Sequence, residues 1–171
     1  GILSWGQDLD HEHNPFQCNL GYQVSLSGKG EWEKKGDYIG KQALEKMKAD
    51  LKDGHKPYKL QLVGFEIGGK PIDEYAPDFW LVSPGDGGDP CGFITSPWYH
   101  PEKGKNIAMG YIPFDGTLNS NGFPKWELGK KFKVHLPDIY ADEPGVPVDA
   151  VTVDVPFTES FNANTREVVK G

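Results

Sequence analysis

The fold of this chain is indicated by residues 92–112, which read GFITSPWYHPEKGKNIAMGYI. Apolar and β-branched residues at 93–95 and 107–112 are typical of two strands, and the stretch between them, with its Pro and Gly, is typical of a loop. The segment therefore predicts a hairpin with a long loop. Two interpretations stay open: the loop is an ordinary connection, or it presents three side chains to a ligand or a neighbouring domain. Those side chains are Trp98, Tyr99 and His100.

The composition predicts a folded, mostly β protein. The chain has 171 residues, enough for one sizeable domain or a domain plus a fragment. Its 22 Gly and 14 Pro favour short strands joined by turns, and its 12% aromatic content argues against disorder.

The charge balance excludes some classes of partner. A net charge of -7 disfavours nucleic acid and anionic membranes, because both are bound through clustered cationic groups. No apolar run reaches the length of a bilayer span, and no signal peptide pattern opens the sequence. We therefore expect a cytoplasmic protein, or a mitochondrial one in a eukaryote.

The metal-binding and redox signals are weak. Cys18 and Cys91 are more consistent with two reduced thiols than with a disulfide framework. His11 and His13, with acidic neighbours, invite a metal hypothesis, but the spacing supplies no third and fourth ligand. A solvated turn before Asn14-Pro15 is the preferred interpretation, so no metal site is predicted.

Periodicity places one helix among several strands. Alternation predicts strands at 18–26, 59–67, 79–82, 131–136 and 150–157, the last with Val151, Val153, Val155 and Phe157 on one face. Apolar residues at helical spacing predict a helix that ends near Gly54. This stripe consists of Ile39, Ala43, Leu44, Met47 and Leu51. With the hairpin this gives at least six strands after one helix, which favours a sandwich or barrel.

Two further segments are predicted to be exposed. A Gly- and charge-rich loop spans 27–36 and contains Trp32, a packed lid or a contact residue, and a polar tail spans 158–171. The residues show no nucleophile elbow and no catalytic carboxylate pair, so periodicity and spacing indicate no reaction.

Several motifs in order resemble the folate-dependent aminomethyltransferases, the family of the glycine cleavage T-protein. They are WGQD at 5–8, NP at 14–15, LGYQV at 20–24, YIGKQAL at 38–44, ITS at 94–96, IAMGYI at 107–112 and VPF at 155–157. They correspond to the family's aromatic-Gly-x-Asp, Thr-Pro, Leu-x-Trp-x-Val, aromatic-Ile/Leu-Gly-Lys-x-Ala-Leu, Val-Thr-Ser, Ile-Ala-Met-x-Tyr-Val and Leu-Pro-Phe. The resemblance covers nearly the whole chain.

The resemblance implies a mainly β fold: an α+β fragment followed by a jelly-roll-like C-terminal β-barrel with one lead-in helix. Residues 1–38 would be the trailing part of the family's central folate-binding region. Residues 39–171 would be the lead-in helix and the C-terminal barrel domain.

The resemblance also implies transfer of a one-carbon unit to tetrahydrofolate. The T-protein transfers an aminomethyl group, and its relatives take methyl groups from sulfonium, methylamine or methoxy substrates. The family's Arg-x-Glu would lie just before Gly1 and its catalytic aspartate further upstream. We therefore expect no catalytic residue in this chain, no activity from it alone, and tetrahydrofolate bound mainly by a preceding portion. A small-molecule one-carbon donor and the rest of its own full-length chain would be its partners.

Residue by residue, Tyr22 matches the family's pocket-lining tryptophan and is the candidate cofactor-binding residue. The bulky Trp98, Tyr99 and His100 depart from the family's loop and become pocket-rim or domain-packing candidates. Together with extra length at 79–90 and 140–147 they suggest a divergent branch, closer to the dimethylsulfoniopropionate demethylases. The alternative hypothesis is a free-standing β-barrel interaction module without catalysis, with Trp32, Trp98 and Tyr99 as contact residues.

Overall fold

The computed structural model of the protein describes residues 2–26 and 38–157, which form one α-helix and six strands. The predictions for the 27–36 loop, Trp32 and the 158–171 tail lie outside these residues. The helix is α1 (Lys41–Lys52). The strands are β1 (Leu60–Ile67), β2 (Trp80–Pro84), β3 (Gly92–His100), β4 (Lys105–Pro113), β5 (Lys131–Val134) and β6 (Val148–Val153).

The strands close into a barrel in the order β1-β4-β3-β2-β5-β6. The strand pairs β2–β3, β3–β4, β2–β5, β5–β6 and β1–β6 are antiparallel. Buried apolar side chains from every strand fill the interior, among them Phe65, Val82, Ile94, Tyr111 and Val134. The predicted mainly β fold with one helix is confirmed.

The described residues separate into two compact units. The barrel unit takes its residues from Gly1–Asp10, Leu62–Ile112 and Glu127–Gly171, and the helical unit from His11–Gln61 and Pro113–Trp126. In the helical unit α1 contributes Leu51 to a core with Phe16, Tyr58 and Phe114. The predicted domain division between residues 38 and 39 stays a prediction.

The loop of the 92–112 hairpin is much shorter than predicted. Strand β3 continues through Pro97 to His100, and only residues 101–104 turn the chain into β4. The prediction that Trp98, Tyr99 and His100 lie in a loop was therefore wrong. The β3–β4 register shifts between Ile94 and Ser96, and proline is tolerated beside such an irregularity because the regular hydrogen-bond ladder is already interrupted there.

The predicted strand at 18–26 was also wrong. The backbone turns here: the Leu20 amide donates to the Pro15 carbonyl over 2.8 Å, Asn19 has a φ of 60°, and residues 21–23 form one 3₁₀ turn. Gly21 is needed at this point, since a Cβ there would lie within 3 Å of the Phe123 and Phe16 rings. The alternation that predicted a strand therefore belongs to a tightly packed turn.

The helix prediction was right in its second half and wrong at its start. Leu44, Met47 and Leu51 pack into the core of the helical unit, but Ile39 lies before the helix and is fully exposed. Gly40, at a φ of 89°, separates Ile39 from the first helical turn, and Ala43 points to solvent. Gly54, at a φ of 82°, follows the end of the helix as predicted.

The last strand ends earlier than predicted: β6 stops at Val153, so Val155 and Phe157 lie beyond it, while Val151 and Val153 share one face as predicted. In β6 the buried residues are Val148, Ala150 and Thr152, whereas Val151 and Val153 are only half-buried. A buried threonine is tolerated because its hydroxyl donates to the Glu127 carbonyl over 2.5 Å and accepts from the Lys130 amide over 3.0 Å. Apolar periodicity could not show these backbone partners.

The cross-strand ion pair between Lys133 and Asp149 lowers the pKa of Asp149, which can be tested. Lys133 on β5 lies opposite Asp149 on β6, and Nζ donates to the carboxylate over 2.8 Å, which holds the pKa of Asp149 below its usual value. We expect a carboxyl-detected NMR titration of Asp149 to give a pKa below that of a model peptide, and Lys133→Met to raise it toward that value. Since the folded-state pKa is the lower one, any stabilisation from this pair is present at neutral pH and lost as the pH falls through that pKa. An Asp149 pKa that does not move in Lys133→Met would contradict the assignment.

Cys18 is buried and Cys91 half-buried, and neither forms a disulfide within the described residues. In the part of the chain that the structure describes, no helix combines the length and apolar character needed to cross a membrane.

Candidate functional site

A tight turn near the N-terminus carries the aromatic-Gly-x-Asp motif. The amide of Gly6 donates to the Leu9 carbonyl over 2.7 Å, and the amide of Asp8 donates to the Ser4 carbonyl over 2.9 Å. Gly6 has a φ of 85°, which glycine adopts without steric cost. The turn leaves Trp5 exposed and directs Asp8 into the barrel unit, where it is 1% exposed.

The Asp8 carboxylate holds this turn against the irregular point of β3. One oxygen accepts from the Thr95 and Ser96 hydroxyls, each over 2.5 Å, and the other accepts from the Ser4 amide over 2.8 Å. Thr95 and Ser96 belong to the stretch where the β3–β4 register shifts. The shift therefore brings two hydroxyls to one carboxylate, which the strict alternation of a regular strand would not do.

Gln7 and Tyr111 complete the same hydrogen-bond network. The Gln7 amide nitrogen donates to the carbonyls of Thr95, over 2.6 Å, and Ala76, over 3.1 Å, and its oxygen accepts from the Tyr75 hydroxyl over 2.8 Å. The buried Tyr111 hydroxyl donates to the Asp8 carbonyl over 2.7 Å. Side chains and backbone of the turn are thus bound to β3, to β4 and to the segment that precedes β2.

A cavity of about 250 Å³ lies beside this network, within the barrel unit. Its polar side is formed by Ser4, Gln7, Asp8, Tyr75 and Ser96. Its apolar side is formed by Ala76, Pro97, Trp98, Ile107, Met109 and Phe157, with Ile2 also lining it. One buried carboxylate therefore faces a largely apolar space.

The three predicted rim residues take different positions on β3. Trp98 lines the cavity and is half-exposed. The Tyr99 amide donates to the Ile72 carbonyl over 2.8 Å. The His100 Nδ1 atom is enclosed and has no hydrogen-bond partner among the described residues. The structure thus brings only Trp98 to the cavity, and a pocket-rim or packing role for these residues stays a prediction.

Tyr22 lies in the helical unit, on the 3₁₀ turn at Gly21–Gln23. It is 71% exposed, and its hydroxyl accepts from the Gln23 side chain over 3.0 Å. The aromatic ring is therefore accessible for stacking, and its predicted cofactor-binding role stays a prediction.

Sequence reasoning missed Asp8, Gln7 and Asn106. Asn106 is 2% exposed; its oxygen accepts from the Ile72 amide, and its nitrogen donates to the Gly68 and Lys70 carbonyls. The available signals were the Asp of the WGQD motif and the Thr-Ser pair of the ITS motif. These motifs lie more than eighty residues apart, and nothing in either shows that they meet.

The structure adds no metal candidate. Among residues 2–26 and 38–157, no group of three His, Cys, Asp or Glu side chains is placed to hold a metal ion. His11 is exposed and His13 half-buried.

Comparisons with known proteins point to one family. The chain is 32% identical over 113 residues to an aminomethyltransferase of Synechocystis, a match that covers 66% of the chain and 26% of that protein. It is 29% identical over 157 residues to an aminomethyltransferase of Thermosynechococcus vestitus, a match that covers 91% of the chain and 33% of that protein. No protein-family model matches the chain.

A solved structure shares the fold. The glycine cleavage system aminomethyltransferase T of Bartonella henselae matches with a TM-score of 0.61 at 19% identity, over 92% of this chain and 36% of that one. The fold is thus the barrel-bearing, C-terminal part of an aminomethyltransferase. The chain belongs to the glycine cleavage T-protein family. It spans between 26% and 33% of the length of the two relatives, and the predicted demethylase-like branch stays a prediction.

Proposed function

We propose that this chain is the C-terminal portion of a tetrahydrofolate-dependent aminomethyl- or methyltransferase and that it is inactive alone. The observation that carries the proposal is the match to the C-terminal portion of aminomethyltransferases over 66% to 91% of the chain. The barrel would supply structural support and part of a pocket, and the preceding portion would supply the reacting carboxylate.

The burial of Asp8 argues against a catalytic role for this carboxylate. A general base must reach the proton that it removes, directly or through one water. Asp8 is buried and accepts three hydrogen bonds that hold its own turn in place. Its position suits a structural carboxylate rather than a base.

Tyr22 is the residue that would hold part of the folate. Its exposed ring, on a turn fixed by Gly21 packing against Phe16 and Phe123, offers a rigid face for stacking on the pterin. Bound tetrahydrofolate supplies the nitrogen that receives the one-carbon unit. The phenol ring is smaller than the family's indole, so Tyr22 would contribute less contact area.

The donor, the partners and the location complete the proposal. A small one-carbon donor would bind in the preceding portion, and the rest of its own full-length chain would be the main partner. The group transferred would be an aminomethyl group or, as the alternative, a methyl group. The location would be the cytoplasm, or the mitochondrion in a eukaryote.

A second candidate function is a free-standing interaction module. It is favoured by the exposed apolar residues of the barrel unit, namely Ile2, Trp5, Tyr75 and Trp98. Exposed aromatic residues are typical of protein interfaces. This hypothesis predicts that a gene encoding little more than this chain produces a protein that binds another protein and not folate.

Calorimetric titration with tetrahydrofolate distinguishes the transferase proposal from the interaction-module hypothesis. We expect binding heat from the full-length parent and none from this chain alone. In the parent, Tyr22→Phe should bind like wild type, whereas Tyr22→Ala should bind about threefold to tenfold more weakly, because a stacking face is lost. A parent that does not bind tetrahydrofolate would contradict the proposal, and equal binding by Tyr22→Ala would contradict the role of Tyr22.

A further inference from the structure

The outer surface of β2 and β3 carries a cluster of three apolar side chains. Along β2 the side chains of Trp80 and Val82 are buried, so Leu81 between them points outward, and it is 50% exposed. Phe93 lies directly opposite Leu81 on β3 and is half-buried. Phe79, just before β2, is also 50% exposed and stacks on Phe93 with ring centroids 5.2 Å apart. We call Phe79, Leu81 and Phe93 the outer apolar face.

The outer apolar face is fixed in position by the barrel beneath it. The Phe93 ring contacts the buried Tyr111 ring of β4, with centroids 5.4 Å apart. The Tyr111 hydroxyl in turn donates to the Asp8 carbonyl over 2.7 Å. Leu81 and Phe93 themselves belong to paired strands of the closed barrel. A surface held in this way needs little reorganisation to bind a partner.

Polar groups border the face on the side of β5. The exposed His135 donates its amide to the Leu81 carbonyl over 2.9 Å, and its Nε2 atom lies 2.9 Å from the Ser83 hydroxyl. Ser83 follows Leu81 on the outward side of β2, since residues two apart in a strand share a face. Single exposed apolar residues are common on any protein, but adjoining ones with aromatic rings and a polar rim are typical of contact surfaces.

The area of the face indicates what kind of partner fits it. Three side chains that are each about half exposed offer roughly 250 Å². A stable complex of separate molecules, a dimer of this chain included, needs about 800 Å² from each partner. Domains of one polypeptide associate through interfaces that begin at about 600 Å² in total, because the covalent link gives a high effective concentration. The face with its rim therefore suits a covalently linked domain better than a second copy.

The family supplies such a domain, because most of the length of each matched aminomethyltransferase lies outside the match. We propose that the outer apolar face is covered by an apolar surface of the portion that precedes this chain in the full-length parent. This inference rests on the proposed function, in which the chain is the C-terminal portion of a longer transferase. Burial of Phe79, Leu81 and Phe93 would then help to hold the two portions together.

Hydroxyl-radical footprinting read by mass spectrometry measures side-chain exposure in this chain and in the parent. We expect Phe79 and Leu81 to be oxidised at least fivefold more slowly in the parent than in this chain alone. Phe65, fully buried in the barrel, should stay unmodified in both samples and so reports that both are folded. Equal oxidation rates in a folded parent would overturn the proposal. Protection already present in this chain alone would overturn it too, because the face would then be covered without the preceding portion.

A variant pair at Leu81 tests the apolar character of the contact. Leu81→Lys places a charge at the centre of the face, whereas Leu81→Met keeps it apolar. In the parent, Leu81→Lys should raise the oxidation rate of Phe79 at least threefold, and Leu81→Met should leave it within about 1.5-fold of wild type. An unchanged rate in a folded Leu81→Lys parent would contradict the contact. If Leu81→Lys does not fold, the comparison of the two wild-type proteins decides alone.

The failure of this inference can be told apart from the failure of the proposed function. A parent that modifies tetrahydrofolate but exposes Phe79 and Leu81 as fully as this chain does would overturn the covered face and leave the transferase proposal in place. A parent that protects both residues but leaves tetrahydrofolate unmodified with every donor would support the covered face and contradict the transferase proposal.

Discussion

Replacing Asp8 with alanine is expected to lower the free energy of unfolding by about 3 kcal/mol. The substitution removes the acceptor of the Ser96 hydroxyl and of the Ser4 amide, whereas the Thr95 hydroxyl keeps the Met109 carbonyl 3.2 Å away. Losing a hydrogen bond to a charged group costs about 1.5–3 kcal/mol, and the cost is greater at the half-buried Ser96 than at the exposed Ser4. In a protein of this size, the Tm should fall by about 10 °C.

The matched control is Asp86→Ala. Asp86 lies in the exposed turn between β2 and β3, so its removal should change the Tm by less than about 2 °C. Thermal unfolding followed by circular dichroism measures both variants. A Tm for Asp8→Ala within about 2 °C of wild type would show that the network does not stabilise the barrel.

Gly92→Ala is expected to destabilise the barrel by about 3 kcal/mol or more, because a side chain at this position has no space. A Cβ on residue 92 would lie 2.0 Å from the Tyr111 carbonyl oxygen on β4. That atom lies on β4, which is paired with β1 on one side and with β3 on the other, so it cannot move away alone. The substitution should therefore push the start of β3 away from β4 at Tyr111, the residue whose hydroxyl donates to Asp8.

Gly104→Ala provides the comparison for this steric effect. Gly104 sits in the β3–β4 turn at a φ of 63°, and a Cβ there would have no described atom within 4 Å, so alanine suffers backbone strain only. That strain costs about 1–2 kcal/mol. Urea unfolding should rank Gly92→Ala as clearly less stable than Gly104→Ala. Equal losses in the two variants would mean that close packing at Gly92 is not the cause.

The sequence predicted the elements whose apolar pattern agrees with their tertiary environment. Strand β1 and the second half of α1 were predicted because their apolar residues follow a strand or helical period and are buried. In β6 the apolar Val151 and Val153 do not mark the more buried face, because Thr152 is buried with its hydroxyl bound to backbone atoms. The false strand at 18–26 arose because a packed turn there also alternates apolar and polar residues.

The site was harder to predict than the fold. Its central contact joins Asp8 to Thr95 and Ser96, which only the closed barrel brings together. No sequence pattern near Thr95 indicates the shift in register between β3 and β4. The nearby Pro97 was interpreted as part of a loop instead. The family could be predicted because several whole motifs match it in order. The roles of single residues could not, because they depend on contacts between distant parts of the chain.

The central claim is that the chain works as the C-terminal portion of a one-carbon transferase that uses tetrahydrofolate. Mass spectrometry of the folate pool tests it most directly. The full-length parent is incubated with tetrahydrofolate and a panel of aminomethyl, methylamine, sulfonium and methoxy donors. The claim predicts methylene- or methyl-tetrahydrofolate with at least one donor, and no product from this chain alone. A folded parent that leaves tetrahydrofolate unmodified with every donor would contradict it.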